Sequence, residues 1–556
     1  MTRLTVSNII DTLLKPIDKV SDTLERKLGL FSVVIISLSA MLGSGLFVLP
    51  ALAMLEMGGD TVPVGGIWIA YLLAAIVVLP GAISKAELAT AMPSSGGSYV
   101  YVERTFGPMF GTIAGLGLWA NFMLKSAFAL IGFKAYLWVL EEIIGVNINI
   151  EIAAMVLLIL IVVINILGVK RIKKIQAPIV LIAITFLFTI SIYAALTMDM
   201  NWEAVSSKEA FGSDWKAIAT TSAFVFVSYA GVTKIAAVGG EIKNPSRNIP
   251  YGILLSLLIS CALYVFITLI MAATVDPSGF MKGDGHARED PIYIFATAVG
   301  GSNMGIIAAL LAVLTMTSMA LAGIMASSRF PFAMARDNLL PEALENVHPK
   351  FQTPHIAIIG TGLAMALAII FLPVHDVAEL ASGFKIMIFI VINACVIVLR
   401  RSAKSHSWYN PVWKSPLYPF TQIMGIISGI ILLILMGSKS FIGAGVAVVL
   451  GIAIYKTYGQ KNANPEITPW DTFKMMISEP DKVEKMRLHE AFEAADKNNN
   501  KSINLREFTK AIAGLGLKSD EHVAIRMYFH EADANNDGAI DVDEFCDFIG
   551  IISEAE

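Results

Sequence analysis

Between Leu30 and residue 456 the chain returns repeatedly to apolar runs long enough to cross a lipid bilayer. A helix needs about 20 apolar residues, within a range of about 17–25, to cover the hydrocarbon core. Twelve stretches qualify, at about 30–55, 66–91, 110–140, 151–169, 177–197, 217–239, 250–274, 304–328, 355–373, 376–399, 418–437 and 440–456. Charged residues are 15% of the chain and hydrophobic ones 56%, whereas soluble domains carry about 25% charged residues. Lipid is therefore the expected solvent. In hydrocarbon each backbone group must be paired internally, and the run lengths suit helices. The expectation is an all-α membrane protein with 12 transmembrane helices.

The loops orient these spans. Arg26 and Lys27 precede the first, Lys170, Arg171, Lys173 and Lys174 follow the fourth, and Lys243 and Arg247 follow the sixth. Arg329, Arg336 and Lys350 follow the eighth, and Arg400, Arg401, Lys404 and Lys414 the tenth. The alternate loops are acidic or sparse in charge. Lysine and arginine mark the cytoplasm, so both termini are expected there, in an integral protein of the cell's inner or plasma membrane. Before Leu30, Ile9, Ile10, Leu13, Leu14, Ile17, Val20 and Leu24 recur at near-helical spacing. That pattern fits a helix lying on the inner leaflet rather than a cleavable leader. A net charge of −4 argues against a nucleic-acid partner. Cys261, Cys395 and Cys546 are scattered and form neither a disulfide framework nor a zinc pattern. No nucleotide loop, nucleophile elbow or His/Glu metal pair suggests an enzyme. His286, His348, His355, His375 and His406 fall mostly in loops or at span ends and read as surface residues.

Two spans are interrupted. The first reads Ser39-Ala40-Met41-Leu42-Gly43-Ser44-Gly45-Leu46-Phe47-Val48-Leu49-Pro50. The sixth reads Ser228-Tyr229-Ala230-Gly231-Val232-Thr233-Lys234, then Gly239-Gly240-Glu241. Such interruptions release backbone groups, which is tolerable at membrane depth only where the segment is buried in protein or lines a cavity. A glycine can also simply permit close helix packing. A pair of interruptions five spans apart instead points to an inverted-repeat transporter with its site near the bilayer midplane. Amides at a half-helix start attract a carboxylate, while released carbonyls hold an ammonium or a cation.

At these residues the chain resembles the amino acid–polyamine–organocation (APC) superfamily, and within it the bacterial-type amino acid permeases. Four stretches carry the likeness: Gly43-Ser44-Gly45-Leu46-Phe47; Phe226 to Gly231 with Glu241-Ile242-Lys243-Asn244-Pro245-Ser246-Arg247-Asn248-Ile249-Pro250; Ser328-Arg329 with Ala333 to Pro341; and Pro93-Ser94-Ser95-Gly96-Gly97-Ser98-Tyr99. It covers roughly residues 25–456. The resemblance implies a LeuT-type fold, a 5+5 inverted repeat followed by two helices. It implies that Gly43, Ser44 and Gly45 offer backbone to a substrate carboxylate, and that Ser228, Ala230 and Gly231 receive its amino group. Phe226 and Tyr229 either lid the site or pack beside it.

Lys125 falls well inside the third span, and the resemblance places it facing the substrate site. An unpaired ammonium at that depth costs about 3 kcal/mol or more, so Lys125 should meet a cavity or a partner. It could bind a substrate acid group, carry a proton, or pair with carbonyls of the broken helices. Lys234 reads as a gate or as a snorkelling lysine, and Lys385 as structural. Where some relatives carry a lysine that stands in for sodium, this chain has the uncharged Ala183. A sodium site would draw on carbonyls from Leu38 to Met41 and on hydroxyls of Thr317 and Ser318, with Thr315 nearby. Helical hydroxyls usually bond back to their own backbone. The coupling ion, H+ or Na+, stays open.

The C-terminal region is of another kind. Residues 496–507 and 533–544 fit the calcium loop of an EF-hand, which needs oxygen donors at positions 1, 3, 5, 7 and 9, a glutamate at 12 and glycine at 6. The first loop offers Asp496, Asn498, Asn500, Ser502, Asn504 and Glu507, with Lys501 in the glycine position. The second offers Asp533, Asn535, Asp537, the carbonyl of Ala539, Asp541 and Glu544, with Gly538 at position 6. Two carboxylates against four predict tighter Ca2+ binding by the second loop. Ile503 and Ile540, both at position 8, should pair between the loops.

The expected organisation is a cytoplasmic amphipathic segment (1–29), an APC-type transporter domain (30–456), a cytoplasmic linker (457–485) and a soluble α EF-hand domain (486–556). The leading reading is a secondary active amino acid transporter working by alternating access and regulated by Ca2+. The EF-hand pair would dock intramolecularly on the transporter, on the linker around Trp470, Phe473, Met475, Met476 and Ile477, or on the N-terminal amphipathic helix. The alternatives are a transport-inactive, membrane-anchored Ca2+-binding scaffold, or a transporter of polyamines or organic cations.

Overall fold

Helix follows apolar run along most of the chain, and prolines and glycines set where helices begin and break. The computed structural model describes residues 28–59, 62–92, 97–138, 145, 149–167, 172–212, 214–237, 242–283, 285–402, 406, 408–463, 468–478, 492, 495–496, 500–505, 507–509, 529–535, 537–545 and 547. The expected N-terminal amphipathic helix, the Pro93–Gly96 part of one motif and Asn498 lie outside them.

The helices are α1 (Leu30–Met41), α2 (Ser44–Phe47), α3 (Leu49–Met57), α4 (Ile67–Ala91), α5 (Ser98–Phe106), α6 (Pro108–Tyr136), α7 (Ile150–Ile166), α8 (Ile172–Thr197), α9 (Glu203–Ser206) and α10 (Trp215–Phe224). A 3-10 segment, Val225–Thr233, leads into α11 (Lys234–Ala237). Then come α12 (Pro245–Thr274), α13 (Pro291–Ser327), α14 (Arg329–Arg336), α15 (His355–Phe371), α16 (Val374–Ser402), α17 (Phe420–Leu435), α18 (Ser438–Ile454), α19 (Gln460–Asn462) and α20 (Pro469–Ser478). Proline opens α6, α12 and α13, where its missing amide costs nothing. Gly301, at φ 75°, kinks α13 about three turns from its start; the sequence reading starts that span only at residue 304.

Among the described residues, eight helical segments are long and apolar enough to cross a membrane, and Leu30–Met41, Glu151–Ile166, His355–Phe371 and Phe420–Leu435 are shorter apolar helices. Their outer faces carry Ile182, Leu196, Leu363, Leu367 and Ile434, all exposed, as suits a lipid solvent. Inside, α13 packs along α6, and α12 along α4 and α1. Several buried polar groups are paired between elements distant in sequence. Ser84 donates to Asn393 at 2.7 Å, and the Glu87 carboxylate accepts the Ser415 amide at 2.7 Å.

The chain forms two compact units. The larger runs over 22–397 and 411–465 and holds the helices just described up to α19, apart from the last residues of α16. The smaller includes 398–410 and 466–556. In it α20 lies within the expected linker and is anchored by Ser402 donating to the Pro469 carbonyl (2.8 Å) and by His406 against Thr472 (3.0 Å). Burial holds the His406 imidazole below its ordinary pKa. Neither His406 nor His375 is the free surface residue expected: both are half-buried with polar partners.

Candidate functional site

Both interrupted spans break where glycine and small residues allow it. Helix α1 stops at Met41, Leu42 and Gly43 run extended, and α2 restarts at Ser44. The released carbonyls are taken by tyrosines of neighbouring helices. Tyr264 donates to Met41 O (2.7 Å), Tyr71 to Gly45 O (2.9 Å) and Tyr136 to Phe47 O (2.5 Å).

In the second break α10 tightens into nine residues of 3-10 helix. Runs beyond 3–4 residues are uncommon and mark hinges or strain. Again side chains complete the backbone. Ser382 donates to Phe224 O (2.6 Å) and accepts the Val227 amide (3.1 Å). Lys125 Nζ donates to Val227 O (3.1 Å), Lys385 Nζ to Ala230 O (3.4 Å) and Ser37 to Gly231 O (3.4 Å). The Lys385 ammonium also lies 4.6 Å from the Phe389 ring centroid. Its reading as structural accords with these partners.

The two breaks touch. A Cβ on Gly45 would lie 2.9 Å from Ser228 Oγ, and one on Gly231 would lie 2.8 Å from the backbone of Ala40 and Met41. Beside this contact is a cavity of about 20 Å³ lined by Ala40, Phe122, Lys125, Ser126, Gly231, Lys234, Met319 and Gly323, room for about one water. It lies among α1, α6, the second break and α13.

The sequence-nominated residues thus fall together in large part. Gly43, Ser44, Gly45, Ser228, Tyr229, Ala230 and Gly231 form or border the two breaks, and Lys125 bridges to the second. Phe226 and Tyr229 are fully buried packing groups. Phe226 sets its ring edge-on to Phe389, and Tyr229 donates to Tyr71 O (2.9 Å). Three of the nominated sodium donors also make hydrogen bonds within the protein. Leu38 O accepts the Leu42 amide (2.8 Å), Met41 O accepts Tyr264, and Thr317 donates to Val313 O (2.7 Å). Tyr71, Tyr136, Tyr264 and Ser382 were not nominated. A hydroxyl inside an apolar run was their only signal.

In the EF-hand region the loops pair through β1 (Ile503–Asn504) and β2 (Ala539–Ile540), antiparallel, with Ile503 opposite Ile540. Phe492 meets Phe545 and Phe508 meets Phe529, edge to face, on the helices flanking the loops. In each loop the first aspartate accepts the amide of position 6: Asp496 from Lys501 (2.7 Å) and Asp533 from Gly538 (2.9 Å). Lys501 stands at φ 65° and Gly538 at φ 85°. The donors are all hard oxygens, and the second loop's four carboxylates fit Ca2+.

The EF-hand domain pair profile matches residues 485–550, and the amino acid permease profile matches residues 28–455. Among curated proteins, the branched-chain amino acid permease BcaP of Bacillus subtilis is 27% identical, covering 79% of this chain and 94% of its own. The serine/threonine exchanger SteT of the same organism is 27% identical over 78% of this chain and 96% of its own. The methylthioribose transporter, also of Bacillus subtilis, is 27% identical over 80% and 95%. Among solved structures, Mhp1, a nucleobase-cation-symport-1 family transporter in a closed conformation, covers 80% of this chain and 97% of its own at TM-score 0.50 and 14% identity, a likeness of fold. These relatives are transporters, not enzymes. With a profile match over most of its length and the paired helix breaks at its centre, the chain belongs to the amino acid permease family, with an EF-hand pair at its C-terminal end.

Proposed function

We propose that the chain is a secondary active amino acid transporter of the plasma membrane that works by alternating access and is regulated by Ca2+ at its EF-hand pair. The observation that carries the reading is the meeting of two broken helices whose carbonyls are held by side chains of surrounding helices. A backbone held by hydroxyls and ammoniums can exchange partners as helices tilt, whereas one held by its own helix cannot. Gly43, Ser44 and Gly45 would present backbone to the substrate carboxylate. Ser228, Ala230 and Gly231 would face its amino group.

The same reading takes the transporter domain as residues 30–456, with twelve spans in a 5+5 inverted repeat plus two, both termini cytoplasmic, 457–485 as linker and 486–556 as the sensor. Asp496, Asn498, Asn500, Ser502, Asn504 and Glu507 would hold one Ca2+, and Asp533, Asn535, Asp537, Ala539, Asp541 and Glu544 a second. Bound Ca2+ supplies the charge that draws each set of oxygens together, and a sensor EF-hand then exposes an apolar groove. That groove would dock within the same chain. Leu38 O and Met41 O each accept one hydrogen bond and Thr317 donates its own, which leaves each oxygen a lone pair; with Ser318 they would hold a sodium ion if transport is coupled to it, and no step is assigned to it.

The test is uptake by purified full-length protein in liposomes, with a radiolabelled amino-acid panel and micromolar Ca2+ present or chelated on the EF-hand side. Amino-acid uptake that changes with Ca2+ supports the whole reading. Uptake indifferent to Ca2+ removes the regulation. Uptake of no amino acid removes the transport assignment.

A further inference from the structure

Lys85 on α4 is 2% exposed and, among the described residues, makes no hydrogen bond and no ion pair. It lies inside an apolar helix, about 9 Å short of the end at Ala91. Gly81, one turn earlier, leaves its side-chain space to the Phe389 ring of α16, so the two helices touch at this level. Lys385 of α16 sits 4.6 Å from the centroid of that ring, is fully buried and donates to Ala230 O at 3.4 Å. Its foremost charged neighbour is Lys85, and the next is Lys125 on α6. Among the described residues no acid pairs with Lys85 or Lys385. Helices α6, α10, α12 and α17 and the 3-10 segment contain no acidic residue, and α11 brings only a further lysine, Lys234. Glu87, two residues along α4, accepts the Ser415 amide (2.7 Å). Glu56 meets His375 (3.0 Å) and Asp376 meets Lys439 (2.7 Å) at the start of α16, where Glu379 also lies 4.0 Å from His375.

An ammonium without an acceptor is costly at membrane depth, and two like charges in a low dielectric repel far more strongly than in water. The neutral amine carries neither cost. One carbonyl and one ring face suit a single ammonium, so a second proton, on Lys85, has to wait for water. Parting of α4 from α16 at Gly81 and Phe389 would admit it. Resting on the transporter reading above, we propose that H+ is the coupling ion and that Lys85, with Lys385, carries it. The Lys85 amine takes a proton from water on one side of the membrane and yields it to water on the other as the helices tilt. Lys385 ties this step to the substrate site. The carbonyl it holds, Ala230 O, belongs to the second break and is one of the groups taken above to face the substrate amino group.

The test uses the purified full-length chain in liposomes with a radiolabelled amino-acid panel, a pH-reporting dye sealed inside, and potassium with valinomycin to hold the membrane potential. A pH gradient and a sodium gradient are imposed in separate arms. The expected result is accumulation that follows the pH gradient, about tenfold per pH unit for one coupled proton, with proton movement when substrate is added and no response to sodium. Lys85→Met loses an unpartnered charge and should melt no lower than the parent. It should still exchange internal for external substrate while losing both the gradient response and the dye signal. Lys85→Gln repeats the measurement should the methionine variant not fold. Accumulation that follows sodium and ignores pH would overturn the proposal while leaving the transporter reading intact, as would a Lys85→Met protein that still follows the pH gradient. Loss of exchange together with the gradient response in both folded variants would make Lys85 structural and overturn it too. No amino-acid transport in any arm would remove the transporter reading and this proposal with it.

Discussion

Gly231→Ala tests the contact on which the site depends. An added Cβ would sit 2.5 Å from Met41 Cγ and 2.8 Å from both the Ala40 carbonyl carbon and the Met41 amide. The Met41 side chain could rotate away, but the backbone of the first break could not. Carbon atoms pack at about 3.5–4.0 Å, so the breaks would have to part by roughly 0.7 Å or more. Overpacking of this kind costs about 1–3 kcal/mol, and a clash with backbone belongs at the upper end. If only half of about 3 kcal/mol falls on the substrate-bound state, uptake below saturation drops about tenfold. The assay is thermal unfolding in detergent beside initial-rate uptake in liposomes. Gly445→Ala is the control. A Cβ there meets nothing within 4 Å, so it should melt like the parent or gain up to about 1 kcal/mol of helix propensity. A Gly231→Ala protein that melts and transports like the parent would show that the two breaks do not meet as described.

Tyr264→Phe removes the hydroxyl 2.7 Å from Met41 O and 3.3 Å from Ser228 O; leaving buried carbonyls unpaired should cost about 1–3 kcal/mol, seen as a lower melting temperature with reduced uptake. Lys501→Gly relieves a left-handed side-chain residue, worth about 1–2 kcal/mol per residue. Calorimetric Ca2+ titration should then show the weaker binding event tighten, by up to about tenfold, with the other unchanged. Glu544→Gln should remove the tighter event and leave the weaker. Loss of the weaker event instead would reverse the assignment of the loops.

The broad class was legible because lipid imposes a simple rule: an apolar run of sufficient length, interrupted only for cause. The breaks were legible for the same reason, since Gly43, Gly45 and Gly231 fall midway in apolar runs. The calcium loops were legible because ligands from consecutive odd positions write themselves into the sequence, down to the Ile503–Ile540 pairing. What holds the breaks was not. Tyr71, Tyr136, Tyr264 and Ser382 lie 26, 89, 223 and 158 residues from the carbonyls they serve, and nothing in their local spacing distinguishes them from tyrosines and serines elsewhere in spans. Residues 457–485 read as a linker because prolines and polar residues dominate, yet Pro469 opens α20, where a proline belongs at a helix start. His375 shows the same limit. A histidine at a span end reads as solvent-facing, but its ring stacks on Phe224 at 4.7 Å and its Nε2 lies 3.0 Å from Glu56.

Those late-found partners share a direction. His375, Ser382 and Lys385 are spaced along α16 so that one helix meets the second break three times, at the Phe224 ring, at Phe224 O with the Val227 amide, and at Ala230 O. Lys125 on α6 takes Val227 O between them. The 3-10 segment is therefore supported less by its own ladder than by two neighbouring helices, and its carbonyls follow those helices when they move. A tilt of α16 would withdraw Ser382 and Lys385 together while Lys125 kept its hold from α6. Released carbonyls would then be offered on the face next to the lysine-lined cavity. If substrate binds at these carbonyls as proposed, binding and helix tilt would be coupled through the same few hydrogen bonds, and replacing Ser382 by Ala should then alter transport more than its single hydroxyl's share of stability.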